Sequence, residues 1–71
     1  MESYENLANA IVLLAAKDYR LALSRCNRYP EKEIYRYEKE SIERFFRSGW
    51  FGVLTRLDPE ILIRRLCQEV A

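Results

Sequence analysis

The side chains that could do chemistry in this chain are few and poorly placed for it. There is no histidine, so the residue most often used as a general base is absent. Ser3, Ser24, Ser41 and Ser48 lack a GxSxG elbow or a neighbouring base that would activate a hydroxyl. Cys26 and Cys67 have no imidazole partner to draw off a thiol proton, and no CxxC spacing. Glu38 with Glu40, and Glu40 with Glu43, are the carboxylate pairs on offer. Basic residues interleave with them, which reads as a solvated, charged helix face. No stretch has EF-hand spacing. The expectation is a non-enzyme with no catalytic or metal-binding residues, no cofactor and no small-molecule substrate.

What remains is a surface. Arg25, Arg28, Tyr29, Tyr35, Arg36 and Tyr37, with Lys39, interleave cations and rings around one turn of the chain. Tyr and Arg are favoured where proteins meet, and the same pair of types can meet phosphates and stack on bases. These six residues are therefore the candidate partner or nucleic-acid surface. A protein partner or a second copy of the chain is the first expectation. Nucleic acid is the alternative, because 12 basic against 11 acidic residues leave a net charge of only +1, without the positive excess of a dedicated nucleic-acid binder. The last helix, carrying Arg64 and Arg65 after a corner, outlines a helix-turn-helix. Glu60 at its start would face phosphate unfavourably.

The elements that must position this surface are helices. From Ser3, a fair N-cap, Leu7, Ile11, Leu14, Ala15 and Ala22 recur at three- and four-residue steps to predict a long helix reaching about Asn27. Pro30 suits the first position of a second helix, expected over 30–47 and antiparallel to the first. Its apolar positions include Ile34, Tyr35, Tyr37, Ile42, Phe45 and Phe46. Gly49 reads as a left-handed terminator, and Trp50 to Thr55 as a short helix or 3₁₀ turn with Trp50, Val53 and Leu54 inward. Asp58-Pro59-Glu60 is the strongest local signal: a cap, a first helical position and an acid in the first turn. The last helix is expected from Pro59 to about Glu69, with Leu62, Ile63, Leu66, Cys67 and Val70 on its apolar side.

The fold class that follows is all-α: a compact domain of three to four helices, with a long N-terminal hairpin and an aromatic corner before the last helix. At 71 residues the chain is expected to form a single helical domain, 1–71, near the lower size limit for an autonomous core. Leu7, Ile11, Leu14, Ile42, Phe45, Phe46, Trp50, Leu54, Leu62 and Leu66 are the expected core. Five tyrosines exceed what so small an interior can bury, which suggests an interface or a homodimer seam. The two cysteines read as small hydrophobes in a reducing compartment. The apolar run from Ala8 to Ala16 is too short to span a bilayer and lacks a basic flank. No membrane association and a cytoplasmic location are expected.

Two segments carry a resemblance. Phe45 to Leu66 reads Phe-Phe-Arg-Ser-Gly-Trp-Phe-Gly-Val-Leu-Thr-Arg-Leu-Asp-Pro-Glu-Ile-Leu-Ile-Arg-Arg-Leu, and the front reads Glu-Asn-Leu-Ala-Asn-Ala-Ile-Val-Leu-Leu-Ala-Ala-Lys-Asp-Tyr-Arg. Together they resemble small uncharacterised proteins of Firmicutes prophages and integrative mobile elements. The group brings no activity and no site residues. It implies a mobile-element context, in which small proteins act by docking on a larger machine. Anti-CRISPR-like inhibitors of host defence are one such class.

Overall fold

A computed structural model describes residues 3–70, with side chains from Asn6 onward. It contains four helices: α1 (Ser3–Arg28), α2 (Glu33–Phe46), α3 (Gly49–Leu54) and α4 (Pro59–Val70). No strand occurs among the described residues. The all-α expectation holds. The expected cap role of Ser3 lies outside the described side chains.

The turn between α1 and α2 differs from the expected helix start at Pro30. The Lys32 N–H donates to the Tyr29 carbonyl at 3.1 Å, which closes a four-residue turn with Pro30 in its second place. Proline's fixed φ suits that place as well as a first helical turn. Lys32 is extended and leads into α2 without a side-chain cap. The helices then run antiparallel: Arg25 lies beside Glu38, and Tyr19 beside Glu43.

The second corner is built by Ser48 rather than by Gly49. Ser48 is extended and accepts a hydrogen bond from the Phe51 N–H, while its own hydroxyl donates to the Phe45 carbonyl at 2.6 Å. No described glycine has a positive φ, so the expected left-handed terminator at Gly49 is not used. Asp58 behaves as expected. Its Oδ1 accepts from the N–H groups of Glu60 at 2.9 Å and Ile61 at 3.4 Å, satisfying donors that a helix start leaves free.

The core is one cluster in which rings dominate. Tyr19, Phe46, Phe51 and Leu66 are its largest fully buried side chains, joined by Val12, Ala16, Leu23 and Ile63. The rings meet edge to face, with centroids 5.5 Å apart for Tyr19–Phe46 and 5.3 Å for Phe46–Phe51. That geometry sets a positive ring edge on a negative face. Ile42, Phe45, Leu54, Leu62, Cys67 and Val70 pack around it, half-buried. The face expected for α4 is the one observed.

Three of the expected core residues lie outside. Leu7, Leu14 and Trp50 are 61%, 59% and 61% exposed, and Ile11 is only half-buried. The side of α1 that turns inward is Ala8, Val12, Ala16, Tyr19 and Leu23, a phase about one residue later than expected. Residues 7–16 are apolar nearly all round, so their spacing supports either phase. Tyr19 and Leu23 decide it, and Ala8, Ala16 and Ala22 let neighbouring backbone approach. On α3, Phe51 faces inward instead of Trp50, and Val53 is exposed with Trp50. The Ser48 cap sets the rotation that points Phe51 at Phe45 and Phe46.

Candidate functional site

The six predicted surface residues gather at the hairpin end, but not on one face. The Tyr29 N–H closes on the Arg25 carbonyl at 2.8 Å as α1 ends, which folds Tyr29 back over the start of α2. Its ring then lies 5.8 Å from that of Tyr35. The Arg25 guanidinium sits 5.8 Å above the Tyr35 ring, within cation–π range. Arg25, Tyr29 and Tyr35 therefore form one stack. Arg36 lines a neighbouring shallow basin of about 250 Å³ with Cys26, Tyr29, Pro30, Lys32, Lys39 and Glu40, so Tyr29 borders both the stack and the basin. Arg28 is exposed at the end of α1.

Tyr37 belongs to the opposite side. It lines a second groove, of about 350 Å³, with Asp18, Leu21, Ala22, Arg25, Glu38 and Ile42, and Arg44 lies 5.8 Å over its ring. Successive helical residues are turned by about 100°, so Tyr35, Arg36 and Tyr37 cannot share a face. Arg25 is the one predicted residue common to the stack and the second groove.

The carboxylates read as solvated divide in two. Glu40 is exposed. Glu43 is not solvated in that sense: its side chain is only 15% exposed and lies 3.4 Å from Lys39 Nζ and 3.8 Å from Arg47 Nη1. The Tyr19 hydroxyl donates to Glu43 Oε2 at 2.5 Å and has Cys67 Sγ 3.6 Å away. Burial first, and then this carboxylate, push the Tyr19 phenol well above its ordinary range. Arg47 goes on to grip Glu60 with two parallel bonds of 2.6 and 3.0 Å, which hold the Glu60 carboxyl below its ordinary value. The network ties α1, α2 and α4 together.

Glu38 is less settled. Its Oε1 is buried without a hydrogen-bond partner among the described residues, and the nearest cation, Arg25 Nη1, is 4.0 Å away. Cys26 and Cys67 are free thiols, half-buried and unbridged. No group of three or more potential metal ligands occurs among the described residues. None of the described helices is long and apolar enough to cross a membrane.

The surface that sequence reasoning missed is apolar. Trp50 and Val53 share the outer face of α3 at i,i+3 spacing, and Leu57 and Ile61 are exposed in the connection and at the start of α4. The signal was present in Ser48, whose cap fixes which of Trp50 and Phe51 turns inward.

These features define a small four-helix domain with an aromatic core and two kinds of open surface, one cationic and tyrosine-rich, the other apolar. No protein-family model matches the chain, nor does any curated protein or solved structure.

Proposed function

We propose that the protein is a non-enzymatic interaction module of a phage or mobile element that works by docking on a larger protein complex. A host defence complex is the target class that the mobile-element resemblance implies. The observation that carries the docking reading is the open apolar surface between residues 50 and 61, where Trp50, Val53, Leu57 and Ile61 are all exposed. A tryptophan outside a core that has room for Tyr19, Phe46 and Phe51 is the kind of residue that anchors an interface. Single exposed apolar residues are ordinary on proteins, but four along so short a stretch, one of them the only tryptophan, favour a partner.

The test is quantitative capture from host lysate followed by reconstitution with the purified partner. The wild type should retain one defined complex, and Trp50→Ala should weaken it at least about tenfold, the loss of a hot-spot contact. Absence of a defined complex, or equal binding by both chains, would overturn the reading.

The basin bordered by Tyr29, Lys32, Arg36 and Lys39 supports a second reading, a small nucleic-acid-binding regulator. It predicts oligonucleotide binding that weakens steeply with salt and is reduced by Arg36→Ala. Salt-insensitive or absent binding would remove it.

A further inference from the structure

We infer, resting on the nucleic-acid reading of the basin, that the hairpin end takes a single strand and not a duplex. One phosphate lies in the basin beside Lys32 and Arg36, and the base attached to it stacks on Tyr29.

Positive charge gathers at this spot although the chain carries a net charge of only +1. Lys32, Arg36 and Lys39 line the basin against one carboxylate, Glu40. Glu31 and Glu33 belong to the same turn but do not line it. No ion pair to Lys32 or Arg36 occurs among the described residues, and only Lys39 is engaged, 3.4 Å from Glu43. An anion in the basin therefore meets two uncommitted cations within a concavity, which focuses their field.

Size decides how much of a ligand enters. A basin of about 250 Å³ falls short of the roughly 300–1,000 Å³ that encloses a whole small ligand. It has room for one charged group and leaves the body attached to that group outside, against the rim. Tyr29 forms part of the rim and is 41% exposed. Tyr35 is half-buried with Arg25 above it, and its ring supports that of Tyr29 at 5.8 Å. Tyr29 is thus a braced ring with open surface, directly beside the cations.

A nucleotide carries the matching pair, a planar base and an anion joined through one sugar. An acidic peptide would satisfy Lys32 and Arg36 but brings no ring at a fixed short reach from each charge. In a duplex the base faces are covered by their neighbours, and only an unpaired base can offer one to tyrosine. The ring beside the cations therefore selects the single strand.

The experiment is fluorescence anisotropy with a labelled mixed-sequence strand of about twelve nucleotides, alone and annealed to its complement. The single strand should bind at least about tenfold more tightly than the duplex. The logarithm of its affinity should fall with that of salt at a slope of about −1.4 to −2.1, the mark of two to three phosphates. Tyr29→Ala should weaken binding about five- to a hundredfold, the loss of one stacked base, with the slope unchanged. Tyr29→Phe should keep the affinity, and Arg36→Ala should lower it and make the slope shallower by about 0.7. Both positions are exposed, so each variant should keep the wild-type circular dichroism spectrum. Deoxy and ribo strands should both bind, and the ratio of their affinities tells DNA from RNA as the source. Equal affinity for duplex and single strand would keep the nucleic-acid reading and overturn the single-strand site, as would wild-type affinity in Tyr29→Ala. A glutamate oligomer of equal charge binding as tightly would overturn it in favour of an acidic protein segment. No binding by either form would remove both.

Discussion

Tyr19 brings a phenol into the middle of an aromatic core, where its hydroxyl donates a hydrogen bond to the Glu43 carboxylate. Burial and that carboxylate both disfavour the tyrosinate, so its folded-state pKa lies above the ordinary value of 10.0. A raised acid protects the fold while it stays neutral. The stabilisation is complete below about pH 10 and drains away as pH rises beyond it. The melting temperature of the wild type should therefore fall above about pH 10, and Tyr19→Phe should flatten that alkaline limb. The same variant should cost about 1.5–3 kcal/mol at neutral pH, the range for a hydrogen bond to a charged acceptor. An alkaline limb unchanged in Tyr19→Phe would assign it to other groups. Gly52 offers the opposite kind of test. It lies inside α3, and a Cβ built there meets nothing within 4 Å. Gly52→Ala should raise stability by about 0.5–1 kcal/mol, through helix propensity and a less disordered unfolded chain, readable as a higher urea midpoint with unchanged slope. The residue types of the hairpin surface were legible in the sequence, but their sharing of a face was not. Tyr35, Arg36 and Tyr37 are consecutive, and α2 fans them apart.

Among the elements, α4 was legible because its signal is local. Asp58, Pro59 and Glu60 specify a start that Asp58 Oδ1 then makes, and apolar residues fall on one side only. The phase of α1 was not legible, since Leu7, Ile11 and Leu14 compete with Ala8, Val12 and Ala16 over the same turns. Only long-range packing on Tyr19 and Leu23 separates the two. The six residues of α3 give too little periodicity to rank Trp50 over Phe51, and size alone favours the wrong ring. That reversal has a sharp consequence for stability. Phe51→Ala removes a buried ring packed on both Phe45 and Phe46 and should cost about 3–5 kcal/mol. Trp50→Ala removes a ring that is 61% exposed and should change stability by no more than about 0.5 kcal/mol, which moves the urea midpoint little. Equal costs for the two would put Trp50 back in the core.

At the scale of the whole molecule the decisive quantity is how little core there is to share. A chain of 71 residues has about 4–10 kcal/mol of stability to draw on. α4 supplies Ile63 and Leu66 to the cluster that surrounds Tyr19, and both are buried. It also supplies two exposed ion-pair partners, Glu69 to Arg20 and Glu60 to Arg47. Exposed pairs contribute little in water, so apolar burial must carry most of what α4 adds. Leu66→Ala alone should cost about 2–5 kcal/mol, a large share of the total. A chain ending at Thr55 loses that burial entirely and leaves Tyr19, Phe46 and Phe51 open on one side. It should keep some helical signal, because α1 is long and alanine-rich, yet show no cooperative transition on heating or in urea. Adding salt to the intact chain, by contrast, should lower its melting temperature only slightly, since it screens the surface pairs and leaves the rings packed. A cooperative melt from the shortened chain would mean that α1 to α3 close a core alone, and that α4 is held mainly by its ion pairs.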